Sequence, residues 1–109
     1  MSAPRVEVLW WPGCPSWQEA VELVRGEMAT AGLDPAALAV REVGTDAEAA
    51  REEFVGSPTI RVDGRDVADP GAEPVGLTCR VYRLRDGRIS ALPDRADVRD
   101  ALRAAASPR

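Results

Sequence analysis

Two cysteines, Cys14 and Cys79, and no histidine delimit the chemistry open to this chain of 109 residues. Without histidine there is no imidazole for a nucleophile–base triad, for general acid–base work or for a His-ligated metal. Two thiols are too few for a structural zinc site unless carboxylates or a second chain complete it. Cys14 stands in Trp10-Trp11-Pro12-Gly13-Cys14-Pro15-Ser16-Trp17, a stretch that holds all three tryptophans. An apolar run precedes it and a helical pattern follows. Cys14 is expected at the helix N-cap with Pro15 at the first helical position, where proline is well tolerated. There the helix dipole and the free N–H groups of the first turn favour thiolate over thiol. Cys14 is thus the expected reactive atom; the alternative is a small, inert, buried residue, a common fate of free cysteine. Three readings stay open for Cys79: a resolving thiol for Cys14, a partner of Cys14 on a soft metal such as Cu(I) or Hg(II), or a buried strand residue.

The elements that must position these thiols are legible from periodicity and punctuation. Residues 5–11 read as a buried first strand, apolar on both faces, with Trp10 in the core. Residues 15–31 read as a helix with Trp17, Ala20, Val21, Val24, Met28 and Ala31 inward, and Glu19, Glu22, Arg25 and Glu27 on the wet side. Gly32 stops it. A second strand over 38–43 ends at Gly44. Thr45 and Glu48 then form a capping box for a short acidic helix running to Phe54, with Ala47, Ala50 and Phe54 inward and Glu48, Glu52 and Glu53 solvated. Gly56-Ser57-Pro58 breaks the chain before a third strand over 59–62, and Asp63-Gly64 is a hairpin turn signal. Residues 66–77 read as an ordered loop. Asp63, Asp66 and Asp69 only superficially echo calcium-loop spacing, since the terminal Glu and the flanking helices are missing. Residues 78–84 read as a fourth strand, whose alternation sets Cys79 and Val81 opposite Arg80 and Tyr82. A short strand over 88–91 follows. A last helix begins with Asp94 as N-cap and carries Val98, Ala101, Leu102 and Ala105 on its apolar stripe.

Composition sets the class. Hydrophobic residues make up 45% and charged residues 29%, as in soluble globular proteins. The net charge of −4, without a basic cluster, argues against nucleic acid as a partner. No apolar run has the length of a membrane span and residues 2–5 do not read as a signal peptide, so no membrane partner and a cytoplasmic location are expected. The 14 basic residues are all arginine, as expected of a GC-rich bacterial genome. In that compartment two cysteines point to catalytic or redox use, or to simple burial, more than to a permanent staple.

The order β-α-β-α-β-β-(β)-α, with Cys14 opening the first helix and Gly56-Ser57-Pro58-Thr59 leading into the third strand, resembles the thioredoxin-like fold family. More narrowly, the chain is similar to small bacterial thioredoxin-like proteins with a Pro-Gly-Cys-Pro element and a second cysteine in a Cys-Arg-x-Tyr strand. Some relatives of that kind are labelled alkylmercury-lyase-like. The resemblance spans nearly the whole chain. It implies one α/β domain over 1–109, frayed at 1–4 and 106–109, with three layers: a central mixed sheet of about four to five strands flanked by three helices. It matches Cys14 to the nucleophilic cysteine and Pro58 to a cis-proline. That proline turns the backbone of Ser57 toward the cysteine, ready to pair with an extended thiol substrate. Trp11 and Trp17 would then shape an aromatic rim for the substrate, and Tyr82 could donate a hydrogen bond near it. Two departures stand out. The resolving cysteine three residues after the nucleophile is replaced by Trp17, and the buried acid six residues before it by Val8. What remains is monothiol chemistry or resolution by Cys79.

The resulting expectation is a thiol–disulfide oxidoreductase. Cys14 attacks, Cys79 or an external small thiol resolves, no cofactor takes part, and the partner is a protein or small-molecule thiol or disulfide. The chain itself would be a monomer or weak homodimer. The alternatives are a soft-metal or organomercurial site on Cys14 and Cys79, and a non-catalytic interaction module. Whether the two cysteines meet is left open, because strand order alone does not determine register.

Overall fold

A computed structural model describes residues 3–106. The elements run β1 (Val6–Trp10), α1 (Trp17–Thr30), β2 (Ala39–Glu42), α2 (Asp46–Glu52), β3 (Thr59–Val62), β4 (Arg65–Asp66), β5 (Tyr82–Arg83), β6 (Ile89–Ser90) and α3 (Arg95–Ala106). Four strands form a mixed sheet in the order β2-β1-β3-β4; β1 runs parallel to β2 and antiparallel to β3, which pairs antiparallel with β4. β5 and β6 form a separate hairpin. The protein is therefore a mixed α/β fold. Of the ends expected to fray, residues 1–2 and 107–109 lie outside the described residues, and Ala106 is the last residue of α3. Among the described residues no helix is long and apolar enough to cross a membrane.

The pleat of β1 and β3 explains the layers. Val6, Val8, Ile60 and Val62 share one face and bury against Val24 and Met28 of α1 and Val98 and Leu102 of α3. Each such side chain, fully buried, contributes about 1.5–3 kcal/mol. Leu9 points the other way and packs with Val43, Ala49 and Phe54, beneath α2. Thr45 caps α2, accepting the Glu48 N–H at 3.1 Å and donating its hydroxyl to the Glu48 carboxylate at 3.1 Å. The Asp63-Gly64 turn joins β3 to β4 with both residues at positive φ, 52° and 80°. That conformation suits the twist of a two-residue hairpin. Asp94 caps α3, its side chain accepting the Ala96 N–H at 2.9 Å.

Several sequence expectations are corrected. The fourth strand of the sheet is Arg65–Asp66, inside the region read partly as loop, and residues 78–84 do not join the sheet. Only Tyr82–Arg83 is strand there, paired with β6. Ala49, not Ala47 or Ala50, is the alanine that α2 buries, because the helix begins at Asp46 and ends in a left-handed Glu53 that turns Phe54 inward. Glu27 is not on the wet side of α1. It is 4% exposed and ion-paired at 2.9 Å to both Arg95 and Arg99 of α3. Glu52 likewise leaves the solvated set: Arg41 holds its two oxygens at 3.0 and 3.1 Å, and Arg61 reaches it from β3. Trp10 is only partly buried and stacks on Trp17.

Candidate functional site

β1 ends at Trp10, and the chain turns through Pro12-Gly13 so that the Cys14 N–H donates to the Trp11 carbonyl at 3.1 Å. α1 begins at Trp17 with Ser16 as its N-cap, so Cys14 precedes the cap and does not occupy it. Ser16 makes no side-chain cap hydrogen bond to the helix. Its hydroxyl instead lies 3.4 Å from the Cys14 sulfur. The helix start thus serves the thiol through its cap residue. Gly13 is needed where it stands: the Trp11 ring lies over it, and a Cβ there would come within 2.3 Å of the indole.

The second wall of the site is the turn before β3. The Ser57–Pro58 bond is cis, as the resemblance implies. Ser57 is fully buried, its hydroxyl accepts the Trp11 N–H at 3.0 Å, and its carbonyl receives the Cys14 S–H at 3.5 Å. The third wall is the segment 78–80. Ser57 donates its N–H to the Thr78 carbonyl at 2.8 Å and accepts the Arg80 N–H at 2.8 Å, a parallel bridge that sets Ser57 opposite Cys79. The Ser57 backbone, which the resemblance implies is open to a substrate, is therefore paired within the chain. Gly56 makes this approach possible. It has φ +136°, and a Cβ on it would lie 3.0 Å from the Arg80 Cβ and 3.2 Å from the Arg80 backbone.

Both thiols are free, Cys14 buried and Cys79 exposed. Their surroundings shift the two thiols in opposite directions. Burial pushes the Cys14 thiol up, but hydrogen bonds from the Cys79 thiol, the Ser16 hydroxyl and the Ser16 N–H together outweigh it and hold Cys14 below an ordinary thiol. Cys79 is pushed up, first because its S–H is donated to Cys14, then by desolvation and by the Cys14 charge. Of the two thiols, Cys14 is therefore the easier to ionise. A groove of about 480 Å³ gives Cys79 an open approach from solvent, with Val55, Pro70, Glu73 and Pro74 in its lining.

The remaining expected residues divide. Trp11 stays with the site loop and packs on the Leu9–Phe54 cluster. Trp17 is drawn toward the core, its ring stacked on Trp10 at 4.0 Å and 16° and packed on the α1–α3 side. Pro58 is buried, and its carbonyl receives the Tyr82 hydroxyl in a short hydrogen bond. Burial raises the Tyr82 phenol far above its usual range, so it acts as a neutral donor. Alternation along 79–82 holds: Arg80 and Tyr82 are inward, Cys79 and Val81 outward. The reading of Cys79 as a buried strand residue is thereby corrected, because the buried face of this segment is the other one.

Sequence reasoning missed three contributors, Ser16, Asp66 and Arg80. Arg80 donates to Asp66 at 2.6 Å, to the Thr59 hydroxyl at 3.2 Å and to the Ala68 carbonyl at 2.9 Å, with its guanidinium 4.5 Å above the Tyr82 ring. The available signal was an arginine sharing the buried phase of the alternation with Tyr82, which requires a buried counter-charge. The aspartates of the calcium-like spacing serve the backbone and this arginine: Asp63 accepts the Arg5 N–H, Asp69 the Gly71 N–H, and Asp66 both Arg80 and the Ala68 N–H.

No family model, curated protein or solved structure matches the chain.

Proposed function

We propose that the chain is a thioredoxin-like thiol–disulfide oxidoreductase in which Cys14 is the nucleophile and Cys79 the resolving thiol. One observation carries this reading: the backbone bridge sets Cys79 opposite Ser57, the residue whose carbonyl receives the Cys14 S–H, with both thiols free. The sheet order β2-β1-β3-β4, with α1 and α3 on one face and α2 on the other, is compatible with that fold family.

The chemistry uses the more easily ionised thiol first. The Cys14 thiolate attacks one sulfur of a disulfide RSSR′, forming Cys14–S–S–R and expelling R′S⁻, which takes up a proton. Once the Cys14 charge is consumed, the interactions that kept Cys79 protonated vanish and its thiol becomes easier to ionise. The Cys79 thiolate then attacks the Cys14 sulfur, expels RS⁻ and leaves a Cys14–Cys79 disulfide. One substrate disulfide is reduced to two thiols as one protein disulfide forms. A further turnover needs an external thiol reductant, which reverses the protein step.

Thiol counting tests the reading. Treating the reduced protein with a small disulfide should consume both protein thiols and release two substrate thiols per chain. Cys14→Ser should react slowly. Cys79→Ser should stop at a one-to-one mixed disulfide visible by mass spectrometry. Cys14→Ser reacting as fast as the parent overturns the assignment, and a parent in which both thiols stay free favours the soft-metal alternative.

A further inference from the structure

The segment 78–80 is not part of a strand ladder. Its backbone is held to Ser57 by the two hydrogen bonds of one isolated bridge. Such bonds contribute only about 1 kcal/mol each, too little to seat a segment firmly. The side chain of Arg80 supplies what the ladder lacks. It is 8% exposed, and its fork reaches Thr59 in β3, Asp66 in β4 and the carbonyl of Ala68 beyond β4. All three anchors belong to the third and fourth strands of the sheet or the residues just after them. An apolar residue would fill this seat with less desolvation, whereas a planar fork with three fixed acceptors selects one register. Register matters here, because a slip by one residue would reverse which side chains face inward and turn Cys79 away.

We infer that Arg80, locked to Asp66, is the positioning residue of this site: it clamps segment 78–80 across Ser57, holds Cys79 against Cys14 and closes the approach to the Cys14 sulfur. The inference rests on the proposed pairing of the two thiols. It accounts for a nucleophile that is only 3% exposed while its partner faces solvent. A substrate disulfide reaches Cys14 when the clamp loosens, and the clamp's return brings Cys79 to the mixed disulfide.

Two readouts move in opposite directions when the clamp is weakened. The first is the equilibrium constant for the Cys14–Cys79 disulfide against a reduced and oxidised dithiothreitol buffer. One protein disulfide forms as one reagent disulfide breaks, with two protons passing to the reagent sulfurs. In a fully folded population this constant reports local juxtaposition, not global stability. Arg80→Met should lower it about tenfold or more, as expected when a held intramolecular partner becomes loose. Asp66→Asn should lower it less, and Arg80→Lys should restore part of the loss. The second readout is iodoacetamide alkylation of Cys14 in the Cys79→Ser background at fixed pH, which should speed up in the same variants. Glu27→Gln, which weakens the fold at the α1–α3 contact, should leave both unchanged. If Arg80→Met fails to fold by circular dichroism, Asp66→Asn and Arg80→Lys carry the test. A parent that forms no internal disulfide sinks the proposed function itself. A parent that forms one as readily as folded Arg80 and Asp66 variants sinks only the clamp.

Discussion

Two of the arginine–carboxylate clusters among the described residues are built differently. At the α1–α3 contact the carboxylate of Glu27 is buried while its partners Arg95 and Arg99 remain 54% and 40% exposed. Beside the thiols both members are covered, Arg80 at 7% and Asp66 at 12% side-chain exposure. In the first cluster water screens the cations, and the pair joins two helices whose apolar stripes already pack. In the second, both charges are largely withdrawn from water, and the guanidinium ties down a segment that lies outside the sheet. The difference teaches where to look for function: the more deeply desolvated pair sits beside the bridge that places Cys79 opposite Ser57.

The comparison is broken most directly at Asp66. Asp66→Ala leaves the Arg80 cation buried without its counter-charge and should cost about 3–5 kcal/mol in urea unfolding, with the thiol pairing lost at the same time. A loss within the noise of a surface substitution would mean that the two clusters are equivalent. Next comes Tyr82→Phe, which removes the hydroxyl donated to the Pro58 carbonyl beneath the clamp. It should cost about 1–2 kcal/mol and slow closure of the internal disulfide while leaving the α1–α3 contact intact.

The smallest effect belongs to Glu27. Its carboxyl is held below the ordinary range chiefly by the Arg99 hydrogen bond, against desolvation, with Arg95 adding to it. A carboxylate depressed in the fold contributes stability that is present above its unfolded value of about 4.3 and is lost as the pH falls through the lower folded value. Glu27→Gln should cost about 1 kcal/mol at neutral pH, discounted for the screened arginines, and should flatten the loss of stability below about pH 4. High salt should shrink this contribution and leave the Arg80–Asp66 contribution nearly untouched. A salt response of equal size at both clusters would erase the distinction.

Much of the frame was legible because local rules and global packing agree. β3 at 59–62, the Asp63-Gly64 turn, the Thr45 cap and the Asp94 cap each rest on a few neighbouring residues. The misreadings of Glu27 and Glu52 share one cause. Both look like solvent-facing charges in one dimension, and their partners lie 68 and 72, and 11 residues away; the counter-charge of Arg80, 14 residues away, is equally hidden. Periodicity finds an apolar face, but it does not find the counter-charge that lets a polar residue join that face. Residues 78–84 read as a sheet strand because alternation is all that sequence offers, and alternation is equally the mark of a segment making one bridge and one hairpin.

The sequence by itself determined which atoms can react: two thiols, no imidazole, a Pro-Gly turn delivering Cys14 to a helix start, and a proline break before β3. These are properties of residue type and short spacing, where backbone sterics decide. Tertiary structure alone decided that Ser57 bridges to Cys79 through its backbone while its carbonyl receives the Cys14 S–H, and that the two thiols are shifted in opposite directions, Cys14 down and Cys79 up. That outcome depends on the register of segment 78–80 against the turn before β3. The register is held by Gly56, Asp66 and Arg80, residues that are separate in the chain and meet only once the sheet has formed.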